Sequence, residues 1–146
     1  MSHAFHEFLE EVNKGNIDLD DGDIRAALCM TDTTVDTEDT AIEFLDDFTD
    51  LDEHDGTNYA RVALTTKTVT KNDGSNRAEF DCDDITWSAL GAGTRDVEGI
   101  LILKHVTDDT DSIPLMWVTF SSVDQPTGAD WTITIPSTGL MHARRA

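Results

Sequence analysis

The first apolar stripe along the chain has the period of a helix. Phe5, Phe8, Leu9 and Val12 recur at i, i+3, i+4 and i+7 and share one face, while Glu7, Glu10, Glu11 and Lys14 point elsewhere. Ser2 is placed to cap this helix and Gly15 to end it. From Asn16 the pattern changes to short strands separated by acidic turns. Ile17 and Leu19 lead into the turn signal Asp21-Gly22, and Ile24 to Met30 runs apolar enough for a strand. Thr31 to Thr40 is a polar loop, after which the spacing of Ala41, Ile42, Leu45 and Phe48 predicts one face of a single short helix. Asp50 to Gly56 is again acidic loop. Tyr59 to Thr70 reads as a strand pair or one long strand, and Asn72-Asp73-Gly74 returns the chain into Arg77 to Phe80 as a hairpin.

The second half is more plainly β. Ile85 to Trp87 follows the acidic turn Asp81 to Asp84, and Gly91-Ala92-Gly93 breaks the chain. Val97 to Val106 and Ile113 to Ser121 are apolar on both alternating faces, the mark of central strands covered on both sides. Trp131, Ile133 and Ile135 alternate with Thr132 and Thr134, which predicts a strand with one wet face. Many short strands with no long helix between them argue for an antiparallel β-sandwich or barrel-like domain with an N-terminal amphipathic helix. The organisation expected is a helical arm over residues 1–15, a β-rich domain over 16–140 and a basic tail over 141–146. The terminal helix either packs over an open edge of its own domain or docks on a neighbour.

Charge changes the picture of habitat and partners. The 146 residues include 22 Asp and 8 Glu against 4 Lys and 6 Arg, a formal net charge of −20. Disorder is excluded by an apolar content of 38%, three Trp and the long apolar runs. Two readings of the acidity remain: a DNA mimic, and adaptation to molar salt. The grouping of acids in loop-like clusters, the preference for Asp over Glu and the 20 threonines favour a halophilic host or its virus. No stretch long and apolar enough to span a bilayer occurs, and the N-terminus lacks the regions of a signal peptide, so no membrane is expected and the chain reads as made in the host cytoplasm. A surface this negative also argues against direct nucleic-acid binding.

Motifs for chemistry are missing. The aspartates around Asp18, Asp20 and Gly22, and around Asp50, Asp52, Asp55 and Gly56, are out of register for a calcium loop. His3 and His6 lie one turn apart without a third ligand, and His54, His105 and His142 are isolated, so no metal is expected. No GxSxG or P-loop spacing is present, and acidic pairs such as Asp83-Asp84 arise by chance among so many carboxylates. No catalytic residues and no cofactor are therefore assigned. Cys29 and Cys82 read as two buried free thiols. Two of the ten basic residues, Arg144 and Arg145, sit within the last three positions. They form either a solvated tail or an anchor for an acidic partner surface.

The order of segments resembles a known class. Gly15-Asn16-Ile17-Asp18-Leu19-Asp20 followed by Ile24-Arg25-Ala26-Ala27-Leu28 is similar to the opening of a family of small virion proteins, encoded by tailed phages and archaeal tailed viruses near their head and tail genes. Ala78 to Trp87, with Asp83-Asp84-Ile85-Thr86-Trp87, resembles that family's Asp-Asp-Val-Thr-Trp segment. Pro114 to Gln125 and Trp131 to Ile135 with Gly139-Leu140 continue it, and Asp36 to Thr57 departs from it. The resemblance implies a structural, non-enzymatic protein of the virion. We expect a capsid decoration or cement protein on the head surface, a homo-oligomer whose partners are the major capsid protein or other virion proteins. A tail, baseplate or vertex (turret) component is the alternative, and an acidic DNA-mimic inhibitor is the rival from another class. Phe5, Phe8, Leu9, Val12, Arg144 and Arg145 are the expected subunit contacts.

Overall fold

The structure, a computed structural model, describes residues 2–144. In chain order its elements are β1 (His3–Ala4), α1 (His6–Lys14), β2 (Ile24–Met30), β3 (Val62–Ala63), β4 (Thr68–Asn72), β5 (Arg77–Asp81), β6 (Ile85–Trp87), β7 (Val97–Lys104), β8 (Ile113–Asp124), β9 (Trp131–Ile133) and β10 (Met141–Arg144). All strand pairs are antiparallel, and the chain is mainly strands with one short N-terminal helix. The sheets are β1-β8-β7-β2-β3, β10-β5-β4 and β6-β9, and none of them closes on itself.

The five-stranded sheet carries the core because its central strands are apolar on both faces. Ile24, Ala26 and Leu28 of β2, with Ile100 and Ile102 of β7, pack on one side with Phe80, Ile85 and Trp87 of the smaller sheets. Ala27, Cys29, Leu101 and Leu103 point to the other side, where Phe5, Val35, Ile42, Leu45 and Phe48 cover them. Gly99 is needed where β7 crosses Trp117: a Cβ there would lie 2.4 Å from the indole. A bulge shifts the pairing between Ile102 and Leu103, opposite Met116 and Pro114, so Leu115 is the extra residue of β8. Its carbonyl accepts the Phe5 N–H at 3.1 Å. The bulge reverses the side-chain phase, which is why Leu115 and Met116, though adjacent, both pack on the first cluster.

Several expectations hold. Gly15 ends α1 with φ 79° and the Asn72–Arg77 turn joins a hairpin. Trp131, Ile133 and Ile135 are half-buried between exposed threonines, and both cysteines are buried and free. Others fail for identifiable reasons. Ser2 does not cap α1. Residues 3–4 are drawn into pairing with β8 and Phe5 is fully buried, so the helix starts at His6, whose N–H is accepted by Asp39 from a distant loop at 2.9 Å. The described part of the expected arm is thus tied to the rest of the fold through the β1–β8 pairing and the buried Phe5 and Phe8. Ile42, Leu45 and Phe48 do share a buried side but form no α-helix. Asp47 accepts the N–H groups of Glu43 and Phe44, both at 2.9 Å, which holds a 3₁₀ turn over Leu45–Asp47 instead. Tyr59 to Thr70 is two short strands in different sheets, broken near Thr66 at φ 50°. Finally, Met141–Arg144 is not a tail: it pairs with β5 from Met141↔Phe80 to Arg144↔Arg77.

Candidate functional site

Acidic side chains are used first to hold loops. Asp111 accepts the N–H groups of Thr107 and Asp108 at 2.8 and 3.0 Å, and these bonds keep its carboxyl below the usual range. Glu38 takes the hydroxyl and N–H of Thr49 together with the Thr34 hydroxyl, so its pKa is lowered likewise. Asp83 accepts from Thr65 and Thr66, and Asp84 from the Ile135 N–H, which places the Asp83-Asp84 pair in loop anchoring. Among the described residues no group of three or more His, Cys, Asp or Glu is arranged to hold a metal ion.

Cations are committed internally. Lys14, Arg25, Arg61, Lys71, Arg77 and Arg95 each pair with a carboxylate. The half-buried Arg61 is the densest junction. It donates to both oxygens of Glu53 and both of Asp109, while the Tyr59 hydroxyl donates to Glu53 and accepts the Leu28 N–H. Burial acts against the charge of Arg61, and its bonds to Asp109 and Glu53 more than offset this. Burial and the nearby Glu53 push the Tyr59 hydroxyl upward. This network ties the loop before β3 to the β7–β8 connection. Sequence reading missed it, since its members lie 8 and 48 positions from Arg61.

The feature that has no such internal use is an apolar groove of about 600 Å³. Phe8, Leu9 and Val12 of α1 form one wall, with Val69, Phe80 and Met141 from the three-stranded sheet facing them. Ala4 and Met116 close it toward the five-stranded sheet. Among the described residues five large apolar side chains are markedly exposed, and three of them line this groove: Leu9 at 47%, Val12 at 40% and Val69 at 47%. In this way the i, i+3, i+4, i+7 stripe divides. Phe5 leaves the expected contact set because it is in the core at 0% exposure, edge-on to Phe48 at 5.5 Å. Phe8 is buried at the base of that wall, and Leu9 and Val12 remain available. Arg144 ends β10, the strand that borders the groove, and Arg145 lies outside the described residues. Sequence periodicity found α1 but had no means of finding Val69 or Met141, which reach the groove through strand pairing.

No protein-family model matches the chain, and neither the curated proteins nor the solved structures yield a match.

Proposed function

We propose that this chain is a structural component of a tailed-virus particle, a decoration or cement protein on the head surface, without enzymatic activity. The observation that supports it most is the groove. Three exposed apolar side chains converge on one concavity beside an N-terminal helix, whereas the exposed Val106 and Val123 lie outside it. Apolar surface gathered in one concavity and rimmed by polar residues is the kind of surface that partner contacts use. Contacts of this size, repeated over a lattice, hold a shell component by avidity. The major capsid protein, other virion proteins and further copies of the chain are the partners. The fold reading that accompanies it is an open sandwich, with the five-stranded sheet as one layer and the two small sheets as the other. Its support is the shared cluster of Ile24, Ile100, Phe80 and Trp87.

Copy number in purified particles tests the role. Hundreds of copies with label over the head are expected, whereas a few tens confined to the tail or a vertex replace the shell with a tail or turret role. Absence from the particle overturns both. The halophilic habitat has its own test, because self-repulsion at −20 is screened as the Debye length falls from about 10 Å at 0.1 M salt to about 3 Å at 1 M. The melting temperature should rise across that range, and a flat response removes the claim.

A further inference from the structure

Trp131 differs from the other two tryptophans. Trp87 and Trp117 are buried, whereas Trp131 is only half-buried, on a strand whose single neighbour is β6. Two open concavities of about 340 and 280 Å³ meet at it, and Asp124 lines both with it. The first is otherwise mostly polar, with Thr127, Asp130 and Thr132, and the second adds Phe120, Ser121 and Ser122. Each has a cause in the chain. β8 pairs with β7 at Gly99↔Thr119 and again at Val97↔Asp124, so residues 120–123 stand opposite the single Glu98. That surplus bulges from the ladder and supplies a wall of the second concavity.

Residues 125–130 form the rim of the first concavity and are pinned to residues 89–93. The Gln125 amide accepts the Gly93 N–H at 3.2 Å and donates to the Gly93 carbonyl at 3.4 Å. The Gly128 N–H donates to the Leu90 carbonyl at 2.7 Å, and the Leu90 N–H to the Ala129 carbonyl at 3.0 Å. A rim held this way loses little freedom when a ligand arrives. The groups left over define that ligand. Asp124 and Asp130 each use one oxygen on a backbone N–H, of Gln125 and of Ala89, both at 2.8 Å. Their second oxygens, and the exposed hydroxyls of Ser122 and Thr127, have no hydrogen-bond partner among the described residues. A carboxylate only accepts, so these oxygens call for donors. Among the described residues no Lys, Arg or His lines either concavity, and an anionic ligand is therefore repelled. An aromatic ring beside acceptors and hydroxyls suits a molecule with one apolar face and a rim of hydroxyl groups, which is the chemistry of a pyranose.

We infer that Trp131 is the platform of a binding site for a neutral carbohydrate, with Asp124 and Asp130 accepting hydrogen bonds from its hydroxyls. The volumes sit at the low end of small-molecule sites, about 300–1,000 Å³, and suit one or two sugar rings. The site shares no lining residue with the apolar groove, so it is independent of the docking reading and of the particle role.

The test uses the full chain and a panel of neutral mono- and oligosaccharides of glucose, galactose, mannose and N-acetylglucosamine, each free and coupled to a carrier protein. Sialylated and sulfated glycans and calcium chloride are the controls. Trp131 is the one tryptophan that is not buried, so acrylamide quenching of tryptophan fluorescence reads its cover directly. At least one neutral sugar should lower the quenching in a saturable way. In calorimetry Trp131→Ala should bind that sugar at least about tenfold more weakly. Should that variant not fold, Asp124→Asn/Asp130→Asn keeps an acceptor for each backbone N–H and should also weaken binding about tenfold. Binding of the carrier-coupled form alone assigns the site to displayed glycans, and binding of both forms assigns it to free saccharides as well; either result supports the inference. It is overturned if no neutral sugar protects Trp131, or if binding is unchanged in both variants. It is also overturned if only the anionic glycans bind, or if calcium alone gives the same protection, since the carboxylates are then a cation site.

Discussion

The two larger sheets of the molecule are built to opposite specifications. In the five-stranded sheet nearly every residue of β2 and β7 is buried, and each face has its own apolar cover. In the three-stranded sheet Thr68, Val69, Thr70 and Lys71 of β4 are all exposed, and α1 shields only part of one face. The difference lies in what the connections do. The 31–50 segment wraps one face of the large sheet through Val35, Ile42, Leu45 and Phe48, while nothing of comparable length crosses the small one. A chain of this charge solves its folding problem in one sheet and leaves apolar surface unspent in the other.

Removing Trp117 breaks the comparison on its stable side. The indole is fully buried and donates to the Thr119 hydroxyl at 2.8 Å, so Trp117→Ala should cost about 3–5 kcal/mol in denaturant unfolding. Next in size is Arg61→Ala. Its guanidinium side chain is 17% exposed and its loss strands Glu53 and Asp109, so the cost lies between that of a surface pair and a buried one, about 2 kcal/mol. A smaller effect comes with acid. The folded-state pKa values of Asp47 and Asp111 are depressed by backbone N–H bonds, from Phe44 and Glu43 and from Thr107 and Asp108 respectively. Stability from these groups is present above the ordinary value of 3.8 and is lost as pH falls through the lower folded value. Urea midpoints measured on the acid side should therefore fall with pH, and Asp111→Asn should flatten that fall. The smallest effect is expected in the groove, where Leu9→Gln and Val69→Thr should each stay within about 0.5 kcal/mol of the parent. That neutrality sharpens the comparison, because the same substitutions are expected to weaken partner binding.

Much of the large sheet was legible in the residues themselves. The apolar runs at Ile24 to Met30 and from Val97 are buried on both faces as far as Met30 and Leu103, whereas Ile113 to Ser121 is covered on both sides only as far as Trp117 and Val106 is exposed. The alternation from Trp131 to Ile135 was equally plain. What escaped was set by long-range partners. Phe5 continues the helical stripe in sequence, yet the core beside Phe48 takes it and the helix begins one residue later. Met141 to Arg144 read as a charged end because its strand partner, Arg77 to Phe80, lies more than 60 positions away. The spacing around Leu45 has helical period, but local carboxylate bonds from Asp47 outweigh it. The groove was half legible for the same reason: Leu9 and Val12 declare themselves on a helix, whereas Val69, Phe80 and Met141 meet them only through sheet register.

Hydrogen exchange, compared between the isolated chain and the chain on the proposed virus particle, tests the docking claim most directly. In the isolated chain the amides of β2 and β7 should exchange slowest, and those of α1, β4 and β10 markedly faster. On the particle, new protection should appear in α1, β4 and β10 together. Protection gained instead along β6 and β9, or gained nowhere, would contradict the groove as the site where the partner docks.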